Sequence, residues 1–190
     1  MLLDISGIRL HVIGQTVALA IEHGREWGQL FVNDMSWKGN KTKMAKHAIS
    51  ESAFYTLRNN INNENYGDFF NTPGIPSEIT ALLYSHIKLT STLFTIYGID
   101  TIRATAHPLV LAAASGVSVT ELANQLETSS APSAIQKALQ SVSRNQFAEI
   151  NKLLGARLID KFKERESVNY ATLSDCGDCV KAFITAYRSA

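Results

Sequence analysis

The cysteines are the most reactive side chains in this sequence, and they come as a pair. Cys176 and Cys179 form a C-x-x-C. The local pattern puts them at a strand-to-helix junction, where a helix N-terminus lowers a thiol pKa. Asp175 and Asp178 act the other way by disfavouring thiolate. A redox pair and two small residues tucked into a helix start both fit these residues. A thioredoxin-like arrangement needs a βαβ unit, and only eleven residues follow the motif. A structural zinc site needs four ligands, and no second C-x-x-C exists. The histidines at 11, 23, 47, 86 and 107 are scattered. Two cysteines in the chain make reduced, cytoplasmic thiols the default expectation.

A second group lies upstream, where Ser143, Arg144, Asn145, Gln146, Glu149 and Lys152 crowd into one stretch, followed by Lys161, Lys163 and Arg165. Asn, Gln, Arg and Lys are the side chains that hydrogen-bond base edges from a helix in the major groove. Arg144 has the reach for a guanine or a phosphate. Glu149 repels phosphate but can accept from cytosine N4. Lys161, Lys163 and Arg165 suit phosphates or a minor groove, with Glu164 and Glu166 partly cancelling them. Ser133 and Ser143, at helix starts, offer backbone N–H groups to phosphate. The same residues also read as an ordinary solvated face.

A third group is thinner. Trp27 and Trp37 lie near Glu26, Asp34 and Lys38 and either line a small pocket or serve as core and interface aromatics. The sequence holds no Walker loop, dinucleotide fingerprint, G-x-S-x-G or H-E-x-x-H, so nothing argues for an enzyme or a cofactor.

The elements that must position these groups follow from periodicity. Ile8, Leu10 and Val12 alternate with Arg9 and His11, and Val17, Leu19 and Ile21 alternate again after Gly14. With His23-Gly24 as a turn and Leu30 to Val32 as a third run, residues 5–37 predict an antiparallel β-meander. VALAIEHGREWGQL also fits a helix. Ala45, Ile49, Ala53, Leu57 and Ile61 repeat every four residues and predict a helix over 41–61. An Asn-rich, Pro-Gly-containing break follows at 62–76. Ser77 to Tyr97 predicts a helix ended by Gly98, and Thr101 to Ser115 a second one closed by Gly116.

The last third carries the most informative order. Ser118 and Glu121 form a capping box for a helix over 119–126. Ser133 to Leu139 predicts a short helix. Ser143 caps a third, from Arg144 to about Ala156, with Phe147, Ile150 and Leu154 inward and Asn145, Ala148, Glu149 and Lys152 outward. Leu158 to Leu173 predicts two short strands around a charged turn, and Ser174 a cap for a final helix. Helix, helix, helix, charged hairpin, helix is the order of a winged helix-turn-helix. The stretch AIQKALQSVSRNQFAEINKLLGARLIDKF resembles the scanning helix, turn and recognition helix of bacterial winged-helix regulators. ESVNYATLSDCGDCVKAF is similar to the wing and closing helix of MarR-type repressors, whose wing ends in a Leu-Thr/Ser-x-x-Gly pattern matched by Leu173 to Gly177. The resemblance covers about 70 of the 190 residues. Two departures stand out: MarR-type chains usually place helices, not a meander, before the reading head, and Gly155 lies three residues ahead of Leu158.

Composition sets the outer bounds. Hydrophobic residues are 45% and charged residues 18%, a globular balance. Net charge is +1, which excludes a strongly basic, histone-like protein. Residues 1–130 carry nine Lys/Arg and eleven Asp/Glu, and residues 131–190 nine and six, so basic character rises toward the C-terminus. No apolar run is long enough to span a membrane, and Met1 to Leu10, with Asp4 and Arg9, lacks the pattern of a secretory signal. The expectation is an α+β, mainly helical chain in three parts. Residues 1–70 form an α/β domain for dimerisation or sensing, 77–116 connecting helices, and 117–190 a winged helix-turn-helix. Its expected role is a cytoplasmic, homodimeric regulator that reads double-stranded DNA with helix 144–156 and has no membrane partner. Two alternatives stay open: a protein-interaction or assembly adaptor on the same scaffold, and an enzyme or effector site around Trp27 to Lys46.

Overall fold

The computed structural model describes residues 5–61, 77–163 and 170–190. Among these residues every regular element is a helix. The order is α1 (Ile5–Asn33), α2 (Lys41–Ile61), α3 (Ser77–Ile96), α4 (His107–Ser115), α5 (Val119–Gln125), α6 (Pro132–Ser141), α7 (Arg144–Lys163) and α8 (Tyr170–Ser189). Single 3-10 turns at Met35–Trp37 and Ala104–Ala106 lead into α2 and α4.

The expected β-meander is therefore corrected to one 29-residue helix. Val17, Ala20, Ile21, Gly24, Gly28 and Phe31 are all buried, and their spacing of three and four residues is a helical stripe. The alternation of Val17, Leu19 and Ile21 held only locally. Gly24, expected to mark a turn, is a packing position instead, and so is Gly28. A Cβ added at Gly24 would lie 2.3 Å from the Lys88 carbonyl oxygen, and one at Gly28 would lie 2.8 Å from that of Thr92. Only the missing side chains allow α1 and α3 to approach this closely.

Helix α3 is the hub. Leu82, Leu83, Ile87, Leu89, Leu93, Phe94 and Ile96 are buried, and so are His86, Thr90, Ser91 and Thr92. A helix buried all round must satisfy its polar groups internally. The Thr90 hydroxyl donates to the His86 carbonyl (2.7 Å), and Nδ1 of His86 donates to the Leu82 carbonyl (3.0 Å). The Ser91 hydroxyl crosses to the Ile21 carbonyl of α1 (2.7 Å). Helices α1, α2, α4 and α8 surround α3. Helix α4 is buried from Pro108 to Ser115; Pro108 suits its first turn and Gly116 closes it at φ 77°.

The charged hairpin is also corrected. Leu158 and Phe162, one turn apart and buried, continue α7 through Lys163. Helix α8 already runs at Tyr170, so Ser174 lies inside it and is not its cap. Without strands among the described residues there is no wing, and the fold is helical rather than α+β or winged helix-turn-helix. The charged turn at 164–169 and the Asn-rich break at 62–76 lie outside the described residues. The Ser118 cap is as the sequence expects: Glu121 N–H donates to Ser118 Oγ (3.1 Å) at the start of α5.

Candidate interaction surfaces

Helix α7 opens with a reciprocal capping box. The Gln146 N–H donates to Ser143 Oγ (3.3 Å), and the Ser143 N–H donates to Gln146 Oε1 (3.0 Å). Gln146 is thereby occupied at the helix start, though its side chain is exposed. Arg144, Asn145, Glu149 and Lys152 are exposed, as is Ser143. Asn145, Glu149, Lys152 and Ala156 share one outward stripe at helical spacing. Phe147 and Ile150 are half-buried and Leu154 buried, so the inward face has the expected residues. Leu153 is different: it is 56% exposed, beside Lys152 and Ala156.

The remaining expected DNA contacts do not join this face. Lys161 is half-buried, with its ammonium toward Gly116 at the end of α4. Lys163 is the last residue of α7, and its side chain lies outside the described set; Arg165 lies outside the described residues altogether. Arg157, a further α7 cation, is ion-paired to Glu121 of α5. The principal partner of α7 is α4; Leu154, Leu158 and Phe162 of α7 are buried, and the Phe162 ring packs on His86 of α3 (4.6 Å between ring centres).

Cys176 and Cys179 sit on α8, well past its first turn, and not at the helix start where the sequence placed them. Cys176 is buried and Cys179 exposed.

Reading residues 5–37 as strands hid a second surface. On a helix, His23, Trp27 and Phe31 fall four apart on one side. Phe31 meets Trp27 (5.4 Å between ring centres), Trp37 (5.8 Å) and His47 (5.9 Å), and Trp37 meets His47 (5.2 Å). The structure thus brings the two tryptophans together around Phe31. The Lys88 ammonium lies 5.1 Å from the centre of the Trp27 ring, a cation–π distance. Burial pushes the Lys88 pKa down, and the charge of Glu51 opposes that. Glu51 also meets His47 at 3.4 Å, and His23 shares a 2.6 Å hydrogen bond with the Tyr84 hydroxyl. The cluster is joined by ring packing and a cation–π contact.

A shallow cleft of about 110 Å³ opens between the loop after α3 and α6, with Asp100, Arg103, Gln136 and Gln140 on its walls. That is below the several hundred Å³ of a typical small-molecule site. Among the described residues no three His, Cys, Asp or Glu side chains converge to hold a metal ion, and no helix is long and apolar enough to cross a membrane. No family model, curated protein or solved structure matches this chain. Among the described residues the fold is an all-helical bundle built around a central, largely buried helix.

Proposed function

We propose that the chain is an assembly module that docks protein through the outward face of α7, with a second copy of itself as the partner. The observation that carries this reading is the exposed Leu153, set in a charge-balanced stripe with Glu149 and Lys152. An antiparallel pair of α7 helices crossing between residues 150 and 151 puts Glu149 of each copy opposite Lys152 of the other. It also lays Leu153 over Ala148. Such a contact is self-complementary, as a two-fold interface requires.

Gel filtration with light scattering tests it. The wild type runs as a dimer. Leu153→Asp runs as a monomer. Glu149→Lys and Lys152→Glu each weaken the dimer roughly tenfold, and the double exchange restores it, because the two opposite charges are swapped together. A wild type that stays monomeric at high concentration sinks the reading.

Duplex DNA is the second reading. Arg144, Asn145 and Lys152 are exposed on a helix that follows a two-residue turn, which favours it. Weighing against it, Arg157 is engaged with Glu121, Lys161 turns inward, and Glu149 stands on the same stripe. Anisotropy titration of a random duplex between about 50 and 200 mM salt decides: steeply salt-dependent binding lost in Lys152→Ala establishes DNA as the partner of this face.

A further inference from the structure

We propose that the corner between α1 and α2 is a docking surface for an anionic lipid bilayer. Lys38, Lys41, Lys43 and Lys46 fall within nine residues and are all exposed. Between Asp34 and Glu51 the sequence has no carboxylate. Asp34 is itself engaged, accepting from the Ser36 N–H at 2.8 Å. Lys41 and Lys43 occupy the first turn of α2, with no acidic residue there. The positive end of the helix dipole disfavours that placement unless an anion lies outside.

The second observation is apolar and independent of the charge. Met35, on the 3-10 turn beside Lys38, is 87% exposed, and Leu30 on the last turns of α1 is 67% exposed. Trp37, two residues after Met35, is half-buried against Phe31 and His47, a position that suits the headgroup level of a bilayer. Exposed aliphatic side chains and exposed lysines on one short stretch of chain match a surface with apolar interior and anionic heads. Nucleic acid fits less well: it would leave Met35 and Leu30 in water, and the corner offers no arginine fork between residues 26 and 57. The surface lies on a bilayer and does not span it. It adds a membrane partner that composition alone gave no reason to expect, and it is separate from the α7 face.

The test is flotation of the full chain with neutral phosphatidylcholine vesicles and with vesicles containing equal parts phosphatidylglycerol, and anisotropy on a duplex DNA in parallel. The wild type partitions at least about tenfold better onto the anionic vesicles, and raised salt weakens it. Lys43→Glu with Lys46→Glu lowers that partitioning by more than about tenfold, since two cations become two anions. Met35→Ser lowers the binding that survives in high salt. All three positions are exposed, so circular dichroism and melting of the variants stay at wild-type values. Absence of vesicle binding, equal binding to neutral vesicles, variants that bind like the wild type, or duplex binding that depends on Lys43 and Lys46 while vesicles are ignored would each overturn the proposal. None of these results depends on whether α7 pairs, because Glu149→Lys leaves the α1–α2 corner intact.

Discussion

Thr92 ties α3 to α1 at the point where Gly24 lets the helices touch. Its hydroxyl donates to the Gly24 carbonyl at 3.0 Å and to the Lys88 carbonyl of its own helix at 2.8 Å. Four residues along, Gly28 lies under Thr95 and Thr92. Small residues four apart, crossed by short hydroxyl side chains, hold α1 against the central helix α3.

This contact makes two glycine substitutions in one helix differ in sign. Gly24→Ala puts a methyl 2.3 Å from a backbone oxygen, which cannot rotate away. Separating the helices should cost about 2 kcal/mol or more, as overpacking does. Nothing lies within 4 Å of a Cβ at Gly14, also in α1. Gly14→Ala should stabilise by up to about 1 kcal/mol through helix propensity. Urea denaturation of both variants checks the pair, and equal effects would refute this account of α1.

Gly177 in α8 meets α2 differently. A Cβ there would lie 2.5 Å from Cγ1 of Ile49, a side chain rather than backbone. Gly177→Ala should therefore destabilise by about 1–2 kcal/mol. In an Ile49→Ala background the same change should become neutral or favourable. A double-mutant cycle measures that coupling, and additive effects would mean that the two residues do not share the space.

His107 gives a pH dependence. Burial holds its pKa below the ordinary 6.5. It is also the first residue of α4, where the dipole disfavours a cation. The unfolded chain takes up a proton at this imidazole near pH 6.5 while the folded chain resists it. Its contribution is present above pH 6.5 and lost as pH falls below that value, with a slope of at most about 1.4 kcal/mol per unit. His107→Gln should flatten this part of the stability profile between pH 7 and 5, measured by denaturation at each pH. A profile unchanged by the substitution would show that His107 does not carry it.

The two thiols should separate in reactivity. Cys179 is exposed and Cys176 buried. A maleimide should label Cys179 in the folded protein and Cys176 only in denaturant. Labelling of both at similar rates without denaturant would contradict the orientation of α8.

Much of the helical half was legible beforehand, because caps and i+4 stripes are local signals. The stripe from Ala45 to Ile61 marks α2, Ser118 with Glu121 starts α5, and Ser143 starts α7, each where the spacing expects it. The turn between α6 and α7 and the exposed Arg144, Asn145, Glu149 and Lys152 were legible for the same reason. The strands were not real because alternation over five residues cannot tell a half-buried strand from one flank of a helix. At Gly14 and Gly24 the sequence shows only a residue without a side chain; whether that absence serves a turn or a close approach depends on what lies opposite. For Gly24 it is the backbone of α3, sixty-four residues away in sequence.

The sequence by itself determined which segments are amphipathic, where several helices begin and that Arg144, Asn145, Glu149 and Lys152 of α7 face outward. Those properties depend on neighbours three or four positions apart. Tertiary structure alone decided that α1 is one helix, that Lys161 turns toward Gly116, that Trp27 and Trp37 converge on Phe31, and that Met35 stands out among lysines. Burial and proximity between distant segments arise only when the helices pack, and no local period encodes them.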